Sequence, residues 1–217
     1  SLYGVLGLPA FRFYDIDNAE AVTTTGQTVI KSTADMGNIK YNKELGEKDL
    51  DSNIYFDTDS VFFSAVPLMD KRTPNWKDED QDTIAGYVND IAEEMQDYLN
   101  DFYDILSKKI FNVDVDKHRL EIKKEYVAKA GLWIAKKRYA QWIISDNGVP
   151  CDKLDVKGLD VKRSSFPKAF QECMGKVLID ILRGVSEEEL TEYVLDFKKS
   201  MVNRPNSEIA KNTAVKK

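Results

Sequence analysis

The sequence predicts an α+β fold: an antiparallel β-sheet flanked by helices, with more helices after it. Three observations carry that prediction. Apolar residues recur every three or four positions from Asp80 to Ile110. Residues 53–66 and 119–156 are rich in β-branched and aromatic residues, and the second stretch holds the hairpin dipeptide Asn147-Gly148. Helical spacing returns after Gly158.

Each element follows in chain order, with no internal repeat or low-complexity segment. After SLYGVLGLPAFRFYD, Asp17 is expected to cap a helix that begins near Asn18 and runs through AVTTTGQTVI, although Thr23, Thr24, Thr25 and Gly26 are weak helix formers. Residues 37–52, GNIKYNKELGEKDLDS, are polar with two glycines and read as a loop. Strands at 53–57 and 60–66 then form a hairpin. Ile84, Val88, Ile91, Met95, Leu99, Phe102 and Leu106 make one face of a long helix whose acidic side is solvated. From Arg119 the pattern becomes β, carried by Ile122, Tyr126, Val127, Trp133, Ile134, Trp142, Ile143 and Ile144. A helix starting near Pro167 is marked by Phe170, Met174, Val177, Leu178 and Ile181. Ser186 and Glu189 read as a capping box ahead of Leu190, Val194, Phe197 and Met201. The last fifteen or so residues are polar and are expected to fray.

Composition narrows the function classes. A chain of 217 residues supports one large domain or a domain and a half. With 42% hydrophobic and 31% charged residues it reads as soluble, and no stretch approaches the roughly 18 apolar residues that cross a bilayer. The N-terminus lacks the basic start and small-residue cleavage site of a signal peptide. Cys151 and Cys173 are the only cysteines and form no CxxC, which disfavours structural zinc and a disulfide framework and suits a reducing compartment. A cytoplasmic protein is expected. The net charge of −6 argues against nucleic acid, but its distribution does not. Ten acids against one lysine lie between Trp76 and Asp104, and eight basic residues against two acids lie from Lys117 to Arg138.

The stretch IYFDTDSVFF, residues 54–63, poses the chemical question. A buried carboxylate costs several kcal/mol unless a cation or hydrogen bonds offset it. Read on a strand, Asp57 and Asp59 present both carboxylates to one face while Thr58 points away. Such hard oxygen donors suit Mg²⁺, which usually takes one or two carboxylates and completes its shell with water and phosphate oxygens. A DxD by itself is equally a polar hairpin turn. His118 beside Asp114 and Asp116 is a weak metal candidate, and the cysteines lack a second histidine to activate either.

The string YFDTDS, residues 55–60, resembles the YxDTDS motif of the family B (polymerase α-like) DNA polymerases. Two more motifs occur in the family's order. Ser1-Leu2-Tyr3-Gly4 resembles the end of KxxxNSxYG, and Lys136-Lys137-Arg138-Tyr139 resembles KKRY. AVTTTGQ and KGLDVKRSSFPK are similar to stretches of the replicative polymerases of large tailed phages. The resemblance implies a polymerase palm, residues 9–162, preceded by the end of the fingers at 1–8 and followed by the first thumb helices at 163–217. It implies template-directed nucleotidyl transfer in DNA replication, with two Mg²⁺ ions in the complete enzyme and Mn²⁺ as a substitute. Asp59 matches the metal-binding aspartate, and Asp57 matches the first acid of the motif. Tyr3 and Thr58 match positions at the incoming nucleotide. Tyr3, Tyr55, Ser60, Lys136, Lys137, Arg138 and Tyr139 match positions along the primer-template.

The earlier motif with its partner aspartate, the lysine-bearing half of the nucleotide motif and the 3′-to-5′ exonuclease have no counterpart in the sequence. The expectation is a piece of a larger polymerase, inactive without the N-terminal part; a split-gene product or an intein junction at Ser1 are the other forms considered. The implied partners are primer-template DNA, dNTP, the remaining polymerase segments and, through a C-terminus not in this sequence, a sliding clamp. The implied location is the cytoplasm, the host's if phage-encoded. A non-catalytic DNA-binding or assembly module and a DxD nucleotide-sugar glycosyltransferase are the alternatives. The acids are expected at the tip of a central hairpin, with Lys136 or Lys137 across the same cleft.

Overall fold

A computed structural model describes residues 2–163 and 165–211, without the side chains of Leu2, Tyr3 and Lys162. The expectations placed on Ser1, the Tyr3 side chain and the final six residues fall outside that description. The chain forms two compact units, residues 1–124 and 125–217.

The first unit is helical around one hairpin. After a short α1 (Leu2–Leu6) comes α2, Ile16–Leu45, which starts and ends elsewhere than the sequence suggests. Asp15, not Asp17, is the cap: its carboxylate accepts the Asn18 N–H at 3.0 Å. The helix also runs straight through residues expected to loop, and stops at Gly46, whose φ of 80° fits a left-handed C-cap. Packing overrides composition here. Tyr41 is buried, and Met36 and Leu45 pack against the same core, while the polar Asn38 and Asn42 spend their amides on the following segment.

The hairpin follows as β1 (Asn53–Asp57) and β2 (Ser60–Phe63), antiparallel, with Tyr55 opposite Phe62 and Asp57 opposite Ser60. β2 ends three residues earlier than expected, because Val66 opens α3 (Val66–Arg72) with Pro67 in its first turn. Among the described residues this hairpin is a two-stranded sheet of its own, not the middle of a larger one. α4, Gln81–Lys109, matches the periodic stretch, with Asp80 accepting the Asp82 and Thr83 N–H groups. Ile91, Met95 and Leu99 of α4 meet Tyr41, Leu68 and Met69 in one core. Helices α2 and α4 are also joined by a buried hydroxyl pair: Thr33 donates to the Val29 carbonyl at 2.8 Å, so the Tyr103 O–H, 2.8 Å away, donates to Thr33.

The stretch around Ile122, expected as strand, pairs with no strand among the described residues. Side-chain amides of α4 take that place: Asn100 exchanges two bonds with the Ile122 backbone (2.9 and 3.0 Å), and Gln96 accepts the Lys124 N–H.

Arg72 locks α2, α3 and α4 together. Its guanidinium reaches both oxygens of Glu44 (2.6 and 2.8 Å) and of Glu94 (2.9 and 2.7 Å). The Arg72 bonds hold both carboxyls below their ordinary values, partly offset by desolvation. A group whose folded pKa is lowered stabilises the fold above its unfolded pKa and loses that contribution as pH falls through the folded value. Arg72→Met is therefore expected to cost about 1–2 kcal/mol at neutral pH, the lower figure reflecting how far Glu94 stays in water. The difference from the parent shrinks below about pH 4 as the carboxylates protonate, which urea titrations at the two pH values measure.

The second unit is a meander of β3 (Tyr126–Ala135), β4 (Arg138–Asp146) and β5 (Val149–Lys157), all antiparallel. Asn147-Gly148 makes the β4–β5 turn with φ of 50° and 81°, as its sequence demands. Helix α5 (Lys168–Leu182) covers one sheet face, where Leu178 and Leu182 join Ala140, Val156 and Leu159. Then come α6 (Glu187–Ser200), whose cap Ser186 accepts the Glu189 N–H, and the short α7 (Asn206–Ile209). No described helix is long and apolar enough to cross a membrane.

Candidate active site

The acidic pair sits where β1 turns into β2. Asp57 is the last residue of β1 and Asp59 lies in the turn, so the two are not neighbours on one strand face as read from the sequence. The chain reverses between them. The Asp59 N–H donates to the Asp57 carbonyl at 2.6 Å, closing a three-residue γ-turn around Thr58, whose φ is 56°. A β-branched residue there carries strain on the order of 1–2 kcal/mol. Both carboxylates thus occupy one tip, Asp57 half-buried and Asp59 exposed, with the Thr58 hydroxyl 3.3 Å from Asp57. Tyr55 and Phe62 stand behind Asp57 on the same hairpin face, ring centroids 6.0 Å apart, and Ser60 donates its hydroxyl to the Asp57 carbonyl.

These residues suit a hard divalent cation in part. Among the described residues no group of three His, Cys, Asp or Glu side chains converges as a metal site. The tip supplies two carboxylates, within the one or two that Mg²⁺ usually takes when substrate phosphates complete its shell.

The basic motif is arranged differently from the sequence reading. Lys136 and Lys137 do not lie in a strand with alternating faces; they are the two-residue turn between β3 and β4, and Lys137 has φ of 60°. Arg138 begins β4. All three cations are exposed at one end of the sheet, while Tyr139 stacks on Trp133 across the strands at 6.3 Å. This turn has a neighbour the sequence did not reveal. Gly158 is pressed so close that a Cβ there would lie 2.0 Å from the Lys137 carbonyl oxygen. Gly158 thereby brings Lys157, which pairs across from Tyr139, to the same end as the lysine turn. The signal was present in KGLDVKR, but nothing in the string says which turn it touches.

The other candidates are structural. His118 accepts the Leu120 N–H on Nδ1 (3.1 Å), so its Nε2–H donates to Asp104 at 2.8 Å. Asp114 pairs with Lys108 and Lys117. Burial raises the pKa of the Cys173 thiol, opposed by a hydrogen bond with Tyr193.

The whole pattern has known counterparts. The sequence matches the family described as DNA polymerase family B over residues 1–75 and 80–216. The chain belongs to DNA polymerase family B. Similar family B proteins include the DNA-directed DNA polymerase of Enterobacteria phage T4, 30% identical over 210 residues that cover 92% of this chain and 23% of that protein. The enzyme of Escherichia phage RB69 is 31% identical over 82% of this chain and 21% of its own length. The DNA polymerase of Thermococcus gorgonarius is 28% identical over 89% of this chain and 20% of its own. The chain thus spans about a fifth of the length of these family B relatives. Family B membership gives the glycosyltransferase alternative no support.

Proposed function

We propose that this chain provides the second half of the metal site and part of the primer-template grip of a template-directed DNA polymerase. The observation that carries the proposal is the hairpin tip: a family B sequence places Asp57 and Asp59 together at a strained turn on a hairpin rooted in the core. In this reading residues 1–8 close the fingers, 9–162 belong to the palm and 163–217 start the thumb.

The reaction joins the primer 3′-oxygen to the α-phosphorus of a dNTP and expels pyrophosphate. Mg²⁺, when bound, neutralises phosphate charge and acidifies the 3′-hydroxyl. Asp59 is the ligand and Asp57 the weaker one beside the primer end; Thr58 and Tyr3 line the nucleotide, and Tyr55 and Ser60 back the primer. Acids rather than a histidine base suit this chemistry, since placement and charge stabilisation supply most of the rate. Lys136, Lys137, Arg138 and Tyr139 hold the primer-template, the cations positioning its phosphates without reading sequence. The catalytic partners are the remaining polymerase segments, including the aspartate this chain lacks. In this reading the complete enzyme works in the cytoplasm, the host's if it is phage-encoded.

The test is primer extension by this chain joined to, or mixed with, the preceding segments of its polymerase. Nucleotide incorporation by that assembly and none by the chain alone is expected; failure of the assembly, with both parts folded, overturns the reading. A second outcome concerns the basic turn. Replacing Lys136, Lys137 and Arg138 by alanine is expected to weaken primer-template binding for every sequence alike. It should also flatten the slope of log K against log salt by about 0.9 per lost phosphate contact, as fluorescence anisotropy at several salt concentrations would show.

A further inference from the structure

The hairpin that carries Asp57 and Asp59 has two ends to fix. The tip is set by its turn. Its base is gripped by α2, in the turns the sequence reads as loop. Asn42 behaves toward Leu50 as a neighbouring strand would: its Oδ1 accepts the Leu50 N–H at 3.0 Å and its Nδ2 donates to the Leu50 carbonyl at 2.9 Å. One helical turn earlier, Asn38 accepts the Ser52 N–H at 2.9 Å and donates to Asp51 at 2.8 Å, and Asp51 in turn accepts the Asn53 N–H. On the same helix, Tyr41 stacks on Phe63 of β2, centroids 6.0 Å apart, and that ring fills the place a Cβ would take at Gly37.

Between grip and tip lies a weak point. The β1–β2 register shifts between Asn53 and Tyr55, leaving Ile54 as an extra residue. An unpaired residue bends the strand locally, so the segment just before it needs a hold of its own. Asp57 stands about 13 Å of strand beyond Asn53, so a base that moves carries the tip with it.

We infer that Asn38 and Asn42 are positioning residues for the acidic tip. By fixing the backbone of residues 50–53, just before the extra residue at 54, they anchor the base from which β1 carries Asp57 to the tip. This rests on the reading of the tip as a metal site, and the test separates the two. Amide exchange and Mn²⁺-induced line broadening are measured on the full isotope-labelled chain for the parent, Asn38→Ala, Asn42→Ala and Asn42→Asp, with the exposed Lys43→Ala as a control on the same helix.

The alanine variants should retain the parent's α4 amide signals while β1 amides exchange about tenfold faster, the loss of one net hydrogen bond's worth of protection. Mn²⁺ affinity at Thr58–Ser60 should fall about fivefold or more, a consequence of misplaced ligands that a merely less stable fold would not produce. Asn42→Asp keeps the acceptor for Leu50 and should fall between the two, and Lys43→Ala should match the parent. If the parent itself shows no broadening at the tip, the metal reading fails and exchange alone decides the positioning role. Alanine variants with parental exchange in β1 overturn the inference, as does equal loss in the Lys43→Ala control. Should one alanine variant not fold, the other and Asn42→Asp carry the decision.

Discussion

Asp59→Asn, introduced into a polymerase assembled around this chain, is expected to lower single-turnover incorporation by roughly 10³-fold, about 4 kcal/mol of transition-state stabilisation. Primer-template affinity should hardly change, because the loss concerns charge that develops on phosphate during the reaction, not the grip on DNA. The side chain is exposed in a turn, so the substitution leaves the hairpin ladder intact. Asp57→Asn should cost less, about tenfold: Asp57 is the weaker ligand of the proposal, and an amide preserves its place at the end of β1. Rapid-quench kinetics with matched DNA binding measures both. A loss at Asp57 equal to or greater than that at Asp59 would reverse the assignment of the principal ligand.

Gly158→Ala should be the most damaging small substitution in the second unit. Gly158 has φ of 63°, and its Cβ would meet the Lys137 carbonyl at 2.0 Å, backbone against backbone with no flexible side chain to yield. Left-handed strain and the forced shift together should cost about 3 kcal/mol, lowering the melting temperature of a unit this size by roughly 10 °C or more. Gly148 is the internal comparison. Its φ of 81° is at least as demanding, but nothing lies within 4 Å of a Cβ there, so Gly148→Ala should cost only about 1 kcal/mol. Because Gly158 abuts the lysine turn, its alanine variant should also weaken DNA binding at temperatures where the unit is still folded. Thermal melts and anisotropy on the two variants separate these effects.

What the sequence revealed depended on how local the determinant was. The α4 stripe, the Asn147-Gly148 turn and the YFDTDS hairpin are written into spacing and dipeptides, and they appear where expected. The last nine residues of α2, 37–45, have loop composition because Gly37 and its polar neighbours look like a break, whereas the glycine makes room for Phe63 and the asparagines bond a segment that arrives later. Tertiary partners decided that stretch. Ile122 has strand composition, but the Asn100 amide of α4 takes its backbone bonds. The site shows the same limit. The residue types at the acidic and basic tips were legible, but their turn geometry was not: Thr58 and Lys137 both take positive φ values that neither residue type announces.

The most direct test of the central claim, that the hairpin tip is the metal end of this chain, is the site of Mn²⁺-induced amide broadening with Mg²⁺ as competitor. Broadening centred on Asp57 to Ser60, removed by Mg²⁺ and abolished by Asp59→Asn, is the expected result. Broadening spread along the acid-rich face of α4, indifferent to Asp59, would contradict it.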